Sequence, residues 1–587
     1  MYMNVRYRHK LYKSVNMMRM FLWAAAFFAP VLILKIRKRQ PILEFPVEIN
    51  SSEKHRIALD YKLYPDLFYT NRGKYTGLYL SWYRKMGKGR KKFVSDAGKW
   101  TGNAGYNHTL GDTIAVDRDI FDSRDDACRD IYDVDDFDIK SLPKASVVIP
   151  FHNEPLSSIL RTLHSLLTRG PREVIKEVIL VDDGSTNDKT CLKEPIEKAI
   201  LTLPGVKLIR TVQREGSTKA RLIGAAYVTG EVISYLDSHV ECNRNWLLPI
   251  LHHIHHHPNA VAMSLLDTIF GDSFNLQKSW LGSHGGFNWN LEFYWKPIPA
   301  ELRKSLKNTD PIPSPIMPAG AFALRMDFFR QLGMLDPDMR IWGVDDVEFS
   351  FRAWQCGGRV EIHPCSRVGH IFRSVPYSFQ DKPGKVIFHN AVRSAEVVLG
   401  PDYRKFFYGQ ATHYDVSVNR TSLKERIQLK KNLNCKSFEW YMSNIIPEMP
   451  IPPNDAVFYE RLENVGKSLC LEDSNGAPSL AECVSLKSSQ MAYINKENQL
   501  RIGSKCLGQN KMDSKNNMDT RVKFVDCAES GFVFGWEYVK GRLENGGRCL
   551  DFVKENVVLS NCTGDQQPSQ RWRFKYNFDW NKRLSYF

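Results

Sequence analysis

The chain has 587 residues, 43% of them hydrophobic and 25% charged, with a formal net charge of +16 and 12 cysteines. That length exceeds what one core can organise, so two or three folded units are expected, and the balance of apolar to charged residues excludes a disordered or fibrous chain. The basic excess is read as a membrane flank and a solvated face, with no nucleic-acid partner.

Arg6, Arg8, Lys10, Lys13 and Arg19 precede an uninterrupted apolar run at 20–34, and Lys35, Arg37, Lys38 and Arg39 follow it. The run is shorter than the roughly 20 residues of an average span and carries no clear small-x-small cleavage site. It predicts a cytosolic tail at 1–19, a signal-anchor transmembrane helix at 20–36 and a lumenal body, with a cleaved signal peptide as the alternative. Residues 37–110 read as a stem to which no fold is assigned. Sequons at Asn50, Asn107, Asn419 and Asn561, and six cysteines after Ser468, agree with an oxidising lumen.

From residue 145 the pattern becomes strand alternating with helix. A buried strand at 145–150 precedes Ile159, Leu160, Leu163, Leu166 and Leu167 at helical spacing, which Gly170 and Pro171 stop. Strands follow at 178–181, 206–210 and 232–236, with a helix at 217–229 closed by Gly230. Such alternation implies a mostly parallel sheet covered on both faces.

The strand at 232–236 stops at Asp237, with His239 two residues on. Residues at i and i+2 of an extended chain share a face, so this carboxylate and imidazole can grip one divalent ion. The oxygen and nitrogen pair suits Mn²⁺ and leaves positions for phosphate oxygens. Alone, Asp-x-His reads as an ordinary strand end. A second acidic strand end at Asp182-Asp183, and the basic helix between the two, favour a nucleotide diphosphate with its metal.

Residues 285–295 are dense in aromatics behind a glycine pair, which suits either core packing or a loop lining an acceptor groove. His252, His253, His255, His256 and His257 resemble a metal site, although a solvated helix end is the plainer reading. Pro447, Pro450, Pro452 and Pro453 mark a linker at 446–458. Beyond it Cys-Leu recurs at Cys470, Cys506 and Cys549, three repeats of about 40 residues stacked on one core, the last closed by Gln570-Arg571-Trp572.

From about Asp112 onward the chain resembles the polypeptide N-acetylgalactosaminyltransferases. The blocks that carry this are Phe151-His152-Asn153-Glu154, Leu180-Val181-Asp182-Asp183, Arg214-Glu215-Gly216, Leu236-Asp237-Ser238-His239, Gly285-Gly286-Phe287-Asn288-Trp289, Trp342-Gly343, Cys356-Gly357-Gly358 and Val368-Gly369-His370-Ile371-Phe372-Arg373. The resemblance implies an α/β GT-A catalytic domain, placed at 111–445, and a ricin-type β-trefoil lectin domain at 459–587. It also implies transfer of GalNAc from UDP-GalNAc to Ser or Thr of proteins or glycopeptides, with retention of configuration, at the Golgi membrane.

Asp237, His239 and His370 match the family's Mn²⁺ ligands. Asp183 and Arg214 match uridine contacts, and Arg221, Asp345 and Asp346 stand at the sugar. Arg373 matches a diphosphate contact and Trp342 a cap over the donor. Phe287, Trp289, Phe372 and Tyr377 match acceptor positions. In the lectin domain Asp551 is the candidate for binding GalNAc-type glycans. Implied disulfides are Cys128 to Cys365, Cys356 to Cys435, Cys470 to Cys483, Cys506 to Cys527 and Cys549 to Cys562. Departures are Val344-Asp345-Asp346 where most members read Gly-Glu-Asn, Ala319 at the N-acetyl pocket, and a loop after Arg373 that is one residue short. They carry a second reading, a weak or inactive relative acting as a membrane-anchored lectin or modulator.

Overall fold

The computed structural model describes residues 55–59, 105–186, 194–203, 205–373, 378–379, 381–410, 414–484, 487–511, 520–563 and 567–578. The expected membrane helix, Tyr377 and Cys191 lie outside them, and among the described residues no helix is long and apolar enough to cross a membrane.

The larger half is built on one sheet. Its strands are β1 (His55–Leu59), β2 (Ala145–Phe151), β3 (Ile175–Asp182), β4 (Val206–Thr211), β5 (Val232–Leu236), β6 (Val240–Cys242), β7 (Ala260–Ile269), β10 (Ala321–Arg325) and β11 (Arg359–Ile371). Across the sheet the order is β1-β4-β3-β2-β5-β10-β7-β11, with the two-residue strands Ile312–Pro313 at the edge beyond β11 and Leu276–Gln277 beside β7. The run β4-β3-β2-β5 is parallel, β10 is antiparallel between β5 and β7, and β6 pairs antiparallel with β11. The acidic ends of β3 and β5 therefore open on one edge, where α/β sheets bind ligands.

Period-two alternation explains the two-sided core. Val147 and Ile149 of β2 pack with Leu160 and Leu163 of α2 (Leu156–Thr168), while Val148 between them packs with Ala220 and Leu222 of α3 (Ser217–Ala225). The expected span of α3 is corrected at its end: the helix stops at Ala225 rather than at residue 229. Glu177 captures the Thr229 amide at 2.7 Å and Ser146 Oγ the Gly230 amide at 2.9 Å, drawing the chain out of the helix. Gly230 is required by this close approach, since a Cβ there would lie 2.8 Å from the Lys144 carbonyl.

The packed unit reaches further toward the N-terminus than the stem boundary drawn at residue 110. Helix α1 (His108–Thr113) is clamped by Arg161, whose Nη1 donates to the Gly111 carbonyl at 2.6 Å, and the Asn107 amide donates to the Gly271 carbonyl at 2.7 Å. At the other boundary 446–458 is no loose spacer. Ile446 and Met449 are buried, and the first strand of the C-terminal half starts at Ala456.

That half is a curled all-β domain with its own core, including Leu471, Leu507, Leu550, Trp536 and Trp572. Its repeats are visible in their bonds: the Trp536 and Trp572 indoles donate to the Leu507 and Leu550 carbonyls at 2.7 and 2.8 Å. Disulfides join Cys128 to Cys365, Cys356 to Cys435, Cys470 to Cys483, Cys506 to Cys527 and Cys549 to Cys562, while Cys242 is a buried thiol. The histidine run closes helix α4 (Leu247–His256), and its side chains diverge. His252 faces His256, whereas His253 turns to Glu361 at 2.7 Å, so the run is not gathered around an ion.

The two halves share an aromatic cluster that contains Phe287, Trp289, Phe406, Tyr459, Tyr493, Tyr576 and Phe578. The two candidate acceptor rings, Phe287 and Trp289, belong to this cluster. Hairpin β8 (Ser283–Phe287) and β9 (Phe293–Pro297) carries both rings into the interior, with relative exposures of 0% and 1%. Rings lost to water in this way hold the two halves together.

Candidate active site

Asp237 follows β5, its amide held by the Gly320 carbonyl at 3.0 Å, and the chain turns through Ser238 and His239 into β6. The pairing of β6 with β11 sets His370 opposite Val240, which brings a residue 133 positions away onto the same spot. His370 Nε2 lies 3.1 Å from Asp237 Oδ2, the His239 and His370 rings are 4.9 Å apart, and one ligand atom from each of the three residues falls within 4.8 Å of the others. His239 Nε2 is buried with no hydrogen-bond partner among the described residues. Gly320 keeps the space open, because a Cβ there would sit 3.2 Å from the His370 ring. One carboxylate, two imidazoles and an orphaned buried nitrogen fit a divalent cation.

The protonation states agree. Burial, helped by the Arg373 charge, holds His239 below the usual histidine range and therefore neutral. Burial opposes ionisation of Asp237, but the His370 hydrogen bond and the His370 and Arg221 charges carry its carboxyl down to about 2. Both are the forms that bind metal.

Glu154, to which sequence reasoning gave no role, organises this centre. It is 1% exposed and accepts from Tyr106 Oη at 2.5 Å, Ser238 Oγ at 3.0 Å and Arg373 Nη2, while His239 Nδ1 lies 3.3 Å from its Oε2. His239 Nδ1 faces Glu154 Oε2 and, at 3.0 Å, Arg373 Nη2, which leaves Nε2 as the ring nitrogen without a protein partner among the described residues. Its sequence signals are an acid just past a buried strand and membership of the block 151–154.

Around the centre, Arg221 from α3 bridges two acids. Its Nη1 donates to Asp345 Oδ2 at 2.8 Å, and its Nη2 lies 3.5 Å from Asp237 Oδ1 and 3.2 Å from the Ala319 carbonyl. Asp183 spends its carboxylate on the turn before α3, accepting from the Glu215 and Gly216 amides at 2.6 and 2.9 Å. Arg214 projects from that turn to Ser378 at 2.8 Å. Gly216, at φ +99°, lets the turn touch Ile341, so the Trp342 loop abuts it. Trp342 and Phe372 stay exposed, at 39% and 43%, with the Phe372 ring tilted against that of His370 at 4.5 Å between centres.

Val344 enters helix α5 (Asp345–Gln355) in the left-handed region, at φ +70°. For a β-branched residue this stores about 1–3 kcal/mol, held in place by Asn390, whose Nδ2 binds the Arg340 and Gly343 carbonyls. Asp345 and Asp346 then fall in the first helical turn, where the helix dipole favours acids. Burial, then the adjacent Asp345 charge, pushes the Asp346 carboxyl up to about 7. Between about pH 4 and 7 the folded chain thus keeps a proton that the unfolded chain has lost, and stability falls as pH rises across that window. Asp346→Asn is expected to raise the melting temperature at pH 8 and leave it nearly unchanged at pH 4, as read by calorimetry at both values.

In the all-β domain Asp551 is 1% exposed and accepts from Ser560 Oγ at 2.6 Å, Gln570 Nε2 at 2.9 Å and the Phe552 amide at 2.7 Å. The equivalent Glu472 meets Gln490 in the same way, whereas in the second repeat the Phe534 ring packs against Gly508. Asp551→Ala is expected to destabilise the domain by about 1–3 kcal/mol through the partners left unpaired, as read by urea unfolding.

The parallel run of strands, a carboxylate and imidazole at a strand end completed by a remote imidazole, and arginines facing that group are the arrangement of a glycosyltransferase of the GT-A kind. Residues 146–333 match the family described as "Glycosyl transferase family 2". The chain is 37% identical over 462 residues to "Probable N-acetylgalactosaminyltransferase 6" of Caenorhabditis elegans, covering 76% of this chain and 73% of that protein. It is 34% identical to human "Polypeptide N-acetylgalactosaminyltransferase 10", covering 80% of each. The solved structure "Crystal structure of GalNAc-T7 with UDP, GalNAc and Mn2+" superposes with a TM-score of 0.58 at 30% identity, over 83% of this chain and 91% of that one. The chain belongs to the polypeptide N-acetylgalactosaminyltransferase family.

Proposed function

We propose that this protein transfers GalNAc from UDP-GalNAc to Ser or Thr hydroxyls of proteins or glycopeptides, with retention of configuration, and so starts mucin-type O-glycosylation. The observation that carries the reading is the convergence of Asp237, His239 and His370 on one spot at the sheet edge. These residues would hold Mn²⁺, which when bound acts as a Lewis acid toward the diphosphate.

The chain's own residues supply the rest. Arg373, kept at the centre by Glu154, adds positive charge where the leaving phosphate gathers negative charge. Arg221 fixes Asp345, giving the sugar hydroxyls a preset acceptor, with Asp346 beside it. Asp183 shapes the uridine side together with Arg214, Trp342 covers the donor, and Phe372, with Tyr377 beyond it, meets the acceptor. Retention requires attack from the leaving-group side, with the acceptor proton passing to the departing phosphate, so no protein nucleophile is assigned. The inactive-relative alternative is disfavoured because Asp345, although shorter than the usual Glu, still reaches Arg221.

The reading extends to a cytosolic tail and membrane anchor at 1–36, residence in the Golgi with the catalytic half in the lumen, and a trefoil lectin whose Asp551 site takes GalNAc-type glycans weakly. Detergent-solubilised full-length protein, given UDP-GalNAc, Mn²⁺ and a panel of Ser/Thr peptides and glycopeptides, is expected to release UDP and glycosylate peptide, and to prefer UDP-GalNAc over UDP-GlcNAc. Folded protein that modifies nothing in the panel would refute it.

A further inference from the structure

We propose that Tyr106 is a positioning residue of this site, acting through Glu154 on the metal ligand His239 and on Arg373. The inference rests on the reading of Asp237, His239 and His370 as a metal centre.

Tyr106 lies just ahead of α1, in a stretch whose sequence suggests only a stem, yet it is 6% exposed and faces the centre. Its backbone is pinned by the Asn107–Gly271 hydrogen bond and by contact so close that a Cβ on Gly271 would lie 2.8 Å from the Tyr106 Cβ. The ring packs edge-on to Phe274 at 6.0 Å, and the Arg373 guanidinium lies 5.9 Å from its centre. The hydroxyl donates to Glu154 Oε1 and lies 2.8 Å from Ser158 Oγ.

Glu154 divides its two oxygens unevenly. Oε2 is shared by Ser238, His239 and Arg373, the groups nearest the chemistry. Oε1 is fixed by Tyr106. A buried carboxylate anchored at one oxygen cannot rotate, so Oε2 stays aimed at His239 Nδ1 and keeps that ring, and the Arg373 head, in register. Without the phenol hydroxyl Oε1 loses that anchor, the carboxylate plane is free to swing toward the arginine, and the imidazole loses its orienting acceptor.

Tyr106→Phe removes the hydroxyl and keeps the ring between Phe274 and Arg373. Full-length wild type, Tyr106→Phe and Ser158→Ala would be titrated with Mn²⁺ in the presence of UDP, following free Mn²⁺ by electron paramagnetic resonance, with melting temperatures taken alongside. Tyr106→Phe is expected to weaken Mn²⁺ binding about tenfold, the low end for groups behind a metal ligand. Ser158→Ala, which removes the other hydroxyl touching Tyr106, is expected to bind as the wild type does. A Tyr106→Phe protein that binds Mn²⁺ as tightly as a binding wild type, or a Ser158→Ala protein that weakens equally, overturns the inference and leaves the metal centre standing. A wild type that binds no Mn²⁺ overturns both.

Discussion

Asp237→Ala and His370→Ala are each expected to abolish measurable Mn²⁺ binding and to lower GalNAc transfer about a thousandfold or more. A metal acting as a Lewis acid contributes several kcal/mol to stabilising charge on a leaving phosphate, and each 1.4 kcal/mol or so is a factor of ten in rate. The three ligands act as one unit, so the double variant should be hardly worse than either single one. Folding should survive, because His370 is held in β11 by backbone pairing to β6 and β7, which needs no imidazole. Calorimetric Mn²⁺ titration, UDP release and a melting curve on the same preparations check the three parts. Near-normal turnover in either variant would remove the ion from the mechanism.

Arg221→Met should cost about 3–5 kcal/mol of stability as well as activity. Its guanidinium is the cation between two acids, Asp345 and Asp237, and with side-chain exposures of 8%, 7% and 19% little water is present to replace it. Removing one partner of a buried ion pair leaves an uncompensated charge, which is far more destabilising than losing the pair as a whole. The companion variant Arg221→Met with Asp345→Asn should therefore recover part of the stability and none of the transfer. Urea unfolding of both proteins tests this, and a single variant as stable as the wild type would show that the acids are better hydrated than their burial indicates.

How much of this could be read beforehand follows the range of the interactions. Strand β5 begins and ends where its apolar run does, and Asp237 and His239 share a face by local geometry alone. His370 depends on the register of β6 against β11, and nothing local in its sequence nominates it without the family resemblance. Glu154 and Tyr106 matter because a tertiary fold buries them against each other. The end of α3 differs from its local pattern because Glu177 and Ser146, on neighbouring strands, take the Thr229 and Gly230 amides. Phe287 and Trp289 read locally as either core or groove, because a hairpin's pattern does not reveal which side a second domain will cover.

That covering has a practical corollary. A gene fragment ending before Ala456 would encode a catalytic half whose Phe287, Trp289 and Phe406 had lost the roof formed by Tyr459, Tyr576 and Phe578. Such a fragment should self-associate and precipitate more readily than the intact polypeptide, and a chimera carrying another all-β tail would need matching aromatics at those three places before it could be purified.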